Sequence, residues 1–380
     1  MNFEYSETQL LIQETARKFA EEELAATAGE RDEKEEFPYS AIKKLADLGF
    51  LGMMVPEQYG GAGLDTISYV LAMEEISKVD ASVGVIMSVN NSLVCHGINE
   101  WGSEEQKQRY LIPLATGKFL GAFALSEPEA GSDASNQRTM AVRDGEFYVL
   151  NGTKNFITNG SNADLILVMA QTDRSKGPHG ISTFIVEKGT PGLSVAKKEK
   201  KLGIRSSDTV SLSFQDCRVP TSNRINEEGF GFKFAMKTLD GGRIGIASQA
   251  EGIAMGALAA SIQYSQQRKA FGKHIAEFQA TQFKIADMRT KIDAAQQLIL
   301  KAASLKDAGK PYCYYAAMAK LFASKIAVES ALEAIQIHCG YGYVKEYPVE
   351  RLLRDAKITE IYEGTSEVQR IVIARELLKV

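Results

Sequence analysis

The stretch Val142-Arg143-Asp144-Gly145-Glu146-Phe147-Tyr148-Val149-Leu150-Asn151-Gly152 decides the fold. Asp144-Gly145 divides two short apolar runs in hairpin fashion, because Asp and Gly accept the positive φ of a two-residue turn. Asn151-Gly152 follows at once as a second turn signal. Outward from this hairpin the short period continues. Leu165 to Ala170, Ile181 to Val186, Leu193 to Ala196 and Val210 to Phe214 are strand candidates divided by Gly, Pro and polar turns. Such strands predict an antiparallel β-sandwich or barrel.

On both sides the period becomes helical. Before the sheet, Leu10, Leu11, Phe19 and Leu24 are expected along one helix face, and Ile42, Leu45 and Leu48 along another that stops at Gly49. Thr66 to Val79 forms a further helix. Ser82 to Ile98 is apolar almost all round, which predicts a central buried helix. Within it Val85 and Val89 are either ordinary core or the floor of an apolar ligand tunnel. After the sheet, helices are expected at about 240–267, 276–307, 311–339 and 366–379, an up-and-down bundle. The fold class is therefore α+β: an N-terminal α-helical domain over 1–118, a middle β-sandwich or barrel domain over 119–225, and a C-terminal four-helix bundle over 226–380. A sheet inserted between two helical units makes clefts, where ligands are favoured.

The 380 residues carry a net charge of −4, which argues against nucleic acid or an anionic membrane as the main partner. The four cysteines, Cys95, Cys217, Cys313 and Cys339, show no CxxC spacing and the four histidines are scattered, so no metal site is expected. The chain opens on Ser6-Glu7-Thr8-Gln9 and an amphipathic helix without signal-peptide character, and no apolar run reads as long enough to cross a bilayer. The expectation is a cytoplasmic protein.

One corner concentrates chemistry: Ile361-Tyr362-Glu363-Gly364-Thr365-Ser366-Glu367-Val368-Gln369-Arg370. Gly364 supplies a positive φ, and Ser366 with Gln369 has the form of a capping box before a helix. Glu363 then sits just outside a helix N-terminus, which lowers a carboxylate's pKa, and against Tyr362 and Ile361, which raise it. A general base needs such tuning. A solvated acidic residue near a helix start has the same sequence, so both readings stand at this point. Elsewhere, Phe123 to Asp133 joins an apolar strand to a hydroxyl-bearing Pro/Gly loop, Phe156 and Thr158 point to one side if extended, Arg268 and Phe271 follow a helix that contains Arg243, and Gln336 to Gly342 ends a helix in glycines.

Taken together these segments resemble the acyl-CoA dehydrogenase family. SEPEAGSD at 126–133, KNFITNG at 154–160, KKLGIRSSDT at 200–209, LDGGRIGIASQA at 239–250, RKAFGK at 268–273, QIHCGYGY at 336–343 and IYEGTSEVQR at 361–370 match its signatures in order. The LDGGRIGIA form is most similar to the short-chain, butyryl-CoA-like branch. The resemblance implies FAD between the β domain and the bundle, in a homotetramer built as a dimer of dimers. It implies that Phe123, Leu125, Ser126, Phe156 and Thr158 surround the flavin ring, that Ser132 approaches FAD phosphate and CoA, and that Thr365 and Glu367 contact the same FAD. Arg268, Phe271, Gln279, Gln336 and Gly340 would serve a neighbouring subunit's FAD. Asp240, Gly241, Gly242 and Arg243 would border the CoA entrance and pocket wall, with Tyr362 and Gly364 beside the acyl group. Glu363 would be the catalytic base, the substrate a short-to-medium straight-chain acyl-CoA, the product a trans-2-enoyl-CoA, and the electron acceptor electron-transferring flavoprotein.

Two departures stand out. Many relatives carry Trp where Phe156 stands, and some branches place the base at the position of Gly242, where a glycine supports Glu363 as the sole base. Alternatives are an acyl-CoA oxidase and a non-catalytic, DNA-associated flavoprotein of the same fold; the second needs a basic face this acidic chain lacks.

Overall fold

The computed structural model describes residues 4–379. Helix α1, Glu7–Phe19, starts on Ser6, whose hydroxyl accepts from the Gln9 N–H while the Gln9 side chain accepts from the Ser6 N–H. Its packed face is Ile12, Ala16 and Phe19, with Leu24 buried beyond. Leu10 and Leu11 are exposed, contrary to the expected face, because they lie round the helix from that stripe. Leu48 is likewise exposed, whereas Ile42 and Leu45 are buried.

Helix α2, Thr66–Val79, is capped by Asp65, whose Oδ1 accepts from the Ser68 N–H at 2.7 Å. Helix α3 spans Ala81–Trp101 and begins on Asp80, which accepts from Ser82 and Val83 at 2.9 and 3.2 Å. By length and composition α3 could cross a bilayer, against the expectation that no run could. Its most apolar window is 94 % buried inside the protein, so it is the central core helix that its all-round apolar character predicts. Val85 and Val89 pack in that core. The turn Val89–Cys95 is a π-helix, a feature often found near functional sites. There Asn90 donates to the Leu51 carbonyl at 2.8 Å and accepts from the Gly121 N–H at 2.9 Å, tying α3 to the first strand.

The sheet has eight strands: β1 Gly121–Ala124, β2 Met140–Asp144, β3 Phe147–Thr158, β4 Leu165–Gln171, β5 Ile181–Glu187, β6 Leu193–Lys198, β7 Thr209–Pro220 and β8 Arg224–Ile225. They run in the order β6-β7-β3-β2-β4-β5-β8, with β1 on β4. The Asp144-Gly145 hairpin forms as read, with Asp144 opposite Phe147. Asn151-Gly152 is no turn; β3 runs through it and absorbs it as a register shift against β7. The sheet is also not wholly antiparallel, since β1 pairs parallel to β4 and Met140 of β2 pairs parallel to Gln171. Strand β4 is buried at every residue, as a run covered on both faces must be.

The C-terminal bundle holds α4 Gly231–Gln267, α5 Gln279–Asp307, α6 Cys313–His338 and α8 Ser366–Leu378, with α7 Val349–Ile358 between the last two. A short hairpin, β9 Lys269–Ala270 with β10 Lys273–His274, links α4 to α5. Helix α7 lies outside the expected set. It is where the regions converge: Arg354 pairs with Asp32 at 2.7 Å, and the Asp355 carboxylate accepts from the Ile204 N–H at 2.5 Å. The end of α7 therefore leads into the Glu363 corner from a fixed direction.

Candidate active site

Between α7 and α8 the chain reverses through two successive left-handed residues, Glu363 at φ 52° and Gly364 at φ 92°. Gly364 accepts this without cost. Glu363 does not; a non-glycine residue held there stores on the order of 1–3 kcal/mol, strain that collects at functional sites. Thr365, not Ser366, caps α8, its hydroxyl accepting from the Val368 N–H at 3.3 Å. The expected Ser366–Gln369 box does not form, because Ser366 is already the first helical residue. Gln369 instead turns back, donating to the carbonyls of Gly364 at 2.8 Å and Glu363 at 3.3 Å. Thr365→Ala is expected to cost about 1 kcal/mol, the worth of a lost cap, read as a drop in thermal midpoint.

The Glu363 carboxylate is aimed into the protein. Its Oε2 is buried and has no hydrogen-bond partner among the described residues. Opposite it on α4 is Gly242; a Cβ there would lie 2.1 Å from Oε2 and 2.8 Å from Leu93 Cδ2 of the α3 π-turn. Tyr362 donates its hydroxyl to Gln249, which in turn donates to the Ala81 carbonyl at 2.7 Å, so the neighbour of Glu363 is braced against α3 and α4. Of the two opposing influences expected at this corner, burial prevails. It pushes the Glu363 carboxyl up to about 7, against the pull of Lys320 and Arg243.

Asp240 and Arg243, expected along the CoA entrance, are nearly buried and pair with each other at 2.8 Å, with the Cys313 thiol donating to Asp240 at 2.9 Å. Gly241 faces Lys306, whose Nζ lies 3.8 Å from where a Cβ would be.

Of the residues expected around a flavin ring, Phe123 lies on β1 and Phe156 and Thr158 lie on β3. Phe123 on β1 stacks on Phe234 of α4 at 6.3 Å, and the chain continues through Leu125 to Ser126, whose carbonyl accepts from the Asn155 N–H at 2.8 Å. Phe156 is 67 % exposed at φ 59°, within the register shift between Lys154 and Ile157. The strand is not extended there, so the simple alternation expected between Phe156 and Thr158 fails; the bulge re-aims the ring. Under the loop, buried Lys154 holds Leu125 O at 3.1 Å, Glu127 at 2.7 Å and Gln137 at 3.2 Å. Ser132 is exposed on that loop, and Glu367 on the first turn of α8. An aromatic face held open on a strained bulge, beside the hydroxyls of Ser126 and Thr158, suits a flat polar heteroaromatic ring.

A second group lies at the far end of the bundle. Arg268 ends α4 and covers the Tyr341 ring at 5.6 Å, next to Gly340 and Gln336; Phe271, 96 % exposed, meets Phe278 edge-on at 6.3 Å beside Gln279. Gln336 and Lys320, which touches the Glu363 corner, are both on α6, roughly 24 Å apart along its axis. The two groups therefore occupy separate places on one chain.

Sequence reading passed over Lys320 and Gln249, and gave Gln369 a capping role in place of its bonds to the Glu363 and Gly364 carbonyls. Lys320 carried one visible signal, a lone cation in the Ala-rich run Ala316-Ala317-Met318-Ala319-Lys320-Leu321-Phe322-Ala323.

A buried, unpartnered carboxylate in the helical bundle and an open aromatic face on the sheet are features that suit a flavin-type oxidoreductase. Family models match in chain order: acyl-CoA dehydrogenase N-terminal domain at 6–118, middle domain at 122–217 and C-terminal domain at 229–378. The short-chain specific acyl-CoA dehydrogenase of Clostridium acetobutylicum is 52 % identical over 379 residues, covering 100 % of both chains. Butyryl-CoA dehydrogenase from Megasphaera elsdenii superposes with TM-score 0.98 at 50 % identity, over 100 % of both chains. A chain solved in work on the electron transferring flavoprotein of Acidaminococcus fermentans superposes with TM-score 0.99 at 54 % identity, again over 100 % of both. The chain belongs to the acyl-CoA dehydrogenase family. It is an FAD-dependent enzyme that oxidises acyl-CoA.

Proposed function

We propose that the chain oxidises short, straight-chain acyl-CoA to the trans-2-enoyl-CoA with Glu363 as the base. The observation that carries this is the Glu363 carboxylate: buried, without a hydrogen-bond partner on Oε2, and held at a strained corner. FAD, when bound, supplies the acceptor at N5 for the β-hydride. Glu363 takes the α-proton, so the two hydrogens leave and the Cα–Cβ double bond forms. Among the described residues the Glu363 N–H has no acceptor within the chain, leaving it available to the thioester carbonyl, where negative charge grows as the α-proton departs. Tyr362 and Gly364 flank the acyl group, with Gln249 holding the Tyr362 hydroxyl and Gln369 holding the Glu363 and Gly364 carbonyls.

Phe123, Leu125, Ser126, Phe156 and Thr158 are assigned to the flavin ring, Ser132 to its phosphate and CoA, and Thr365 and Glu367 to the same cofactor. Arg268, Phe271, Gln279, Gln336 and Gly340 are assigned to the FAD of a second copy, a reading supported by their distance from the corner. It follows that the working unit is a homotetramer, a dimer of dimers of chains divided at 1–118, 119–225 and 226–380. Asp240 and Arg243 act beside the pocket as a buried pair. The electron acceptor is an electron-transferring flavoprotein, the partner that the Acidaminococcus structure brings to mind.

Anaerobic titration with straight-chain acyl-CoAs of graded length, followed by flavin bleaching, tests the reading. Bleaching is expected to be fastest with the four-carbon chain; bleaching only by branched or long chains overturns it. The pH dependence follows from the carboxyl held near 7. The base works only when ionised, so kcat/KM is expected to fall tenfold per pH unit below about 7 and to level off above it. A rate flat down to pH 5 contradicts the assignment.

A further inference from the structure

We propose that Lys320 is a positioning residue for the base: its ammonium anchors the carbonyl that follows Glu363 and supplies the positive charge that the buried carboxylate lacks in its own hydrogen bonds. The inference rests on Glu363 being the base.

Lys320 is fully buried on α6. A buried ammonium is costly unless its donors and charge are answered. Its Nζ donates to the Gly364 carbonyl at 2.7 Å, the same oxygen that accepts from Gln369 at 2.8 Å. Two donors from two helices thus fix one peptide, the Gly364–Thr365 peptide, one residue beyond Glu363 in the left-handed corner that carries its side chain. Lys320 belongs to none of the ion pairs among the described residues, so it does not tie up the carboxylate directly. A cation touching Oε1 or Oε2 would occupy the lone pair needed for the α-proton; a cation one peptide away stabilises the anion and leaves it free.

The charged surroundings agree. Glu363 faces Lys320 from α6, Arg243 from α4, the Tyr69 hydroxyl from α2 and its neighbour Tyr362. Lys320 in turn faces Glu363, Arg243, Glu360 and Glu367. Arg243 is already engaged with Asp240 at 2.8 Å, which leaves Lys320 as the cation near the base whose charge is not answered by a direct partner. Burial pulls the Lys320 amine down to about 8, against the attraction of Glu363. Both groups therefore hold their charges together only in a window around neutral pH.

The test uses the full chain loaded with FAD, as Lys320→Met, which removes donor and charge, and Lys320→Gln, which keeps a donor and removes the charge. With flavin content and melting midpoint confirming the fold, the acid limb of kcat/KM is expected to move upward by about one pH unit or more in both variants, because a nearby opposite charge has been lost. At a pH above that limb, kcat is expected to fall in Lys320→Met and to recover in Lys320→Gln, which reads the anchor separately. A folded variant of either kind with an unmoved acid limb overturns the proposal. If Lys320→Met fails to fold, Lys320→Gln decides alone through the limb. Glu363→Gln separates the two readings: if it is inactive while the Lys320 limb stays put, only the role of Lys320 is lost, whereas an active Glu363→Gln removes the base itself.

Discussion

Glu363→Gln is expected to lower turnover of a straight-chain acyl-CoA by about two to four orders of magnitude, the contribution of a well-placed general base. The substitution keeps the side chain's length and shape, so the left-handed corner, the Thr365 cap and the Gln369 bonds to the Glu363 and Gly364 carbonyls persist. What disappears is the buried carboxylate that can take a proton. The amide also removes a charge that burial already disfavours, so no large loss of stability is expected; Lys320 loses an attractive neighbour but keeps its bond to Gly364. Rapid mixing with substrate under anaerobic conditions, following flavin absorbance, is the measurement. Bleaching at the parent rate would show that the α-proton leaves by another route.

Gly242→Ala is the second large effect. The added methyl falls 2.1 Å from Glu363 Oε2, 3.0 Å from its Cδ and 2.8 Å from Leu93 Cδ2, closer than atoms can sit. The group that can yield is the far end of the flexible Glu363 side chain, because α4 is held rigidly in the bundle core. The carboxylate is therefore displaced by about 1 Å, and misplacement of that size costs roughly 100-fold in kcat. Stability moves the other way or hardly at all, since alanine favours a helix interior over glycine by about 1 kcal/mol. A fall in kcat with an unchanged melting midpoint is the signature expected. Parent-like kcat would mean that the carboxylate works from a different position.

The expectation that a glycine at 242 leaves Glu363 as the only base thus acquires a geometric form. Gly242 does more than fail to supply a carboxylate; it is the space into which the Glu363 carboxylate is folded. Sequence spacing could not give this, because 242 and 363 are far apart in the chain and meet only when α4 packs against the α7–α8 corner. The same holds for Lys320 and Gln249. Each is an ordinary helical residue in its own segment, and its partner is set by how three helices converge.

Local readings succeeded where one segment contained its own cause. The Asp144-Gly145 hairpin formed, the apolar stretch from Ser82 became the central helix, and Gly364 took the left-handed turn. They failed where a neighbouring element decided. Asn151-Gly152 reads as a turn, yet pairing with β7 carries β3 straight through it. Leu10 and Leu11 read as core, yet α2 meets the Ile12–Ala16–Phe19 side. Phe156 reads as one position of an extended strand, yet a bulge turns its ring out.

By itself the sequence determined the order helices, sheet, helices, the motifs that mark the family, and the carboxylate on a glycine corner, because hydrophobic period, turn chemistry and short motifs are properties of contiguous residues. Only the tertiary structure decided that this carboxylate is buried without a partner, that Gly242 makes room for it and that Lys320 stands behind it. Burial and electrostatics depend on what is brought close in space, and the groups that tune Glu363 come from three helices that only folding brings to one place.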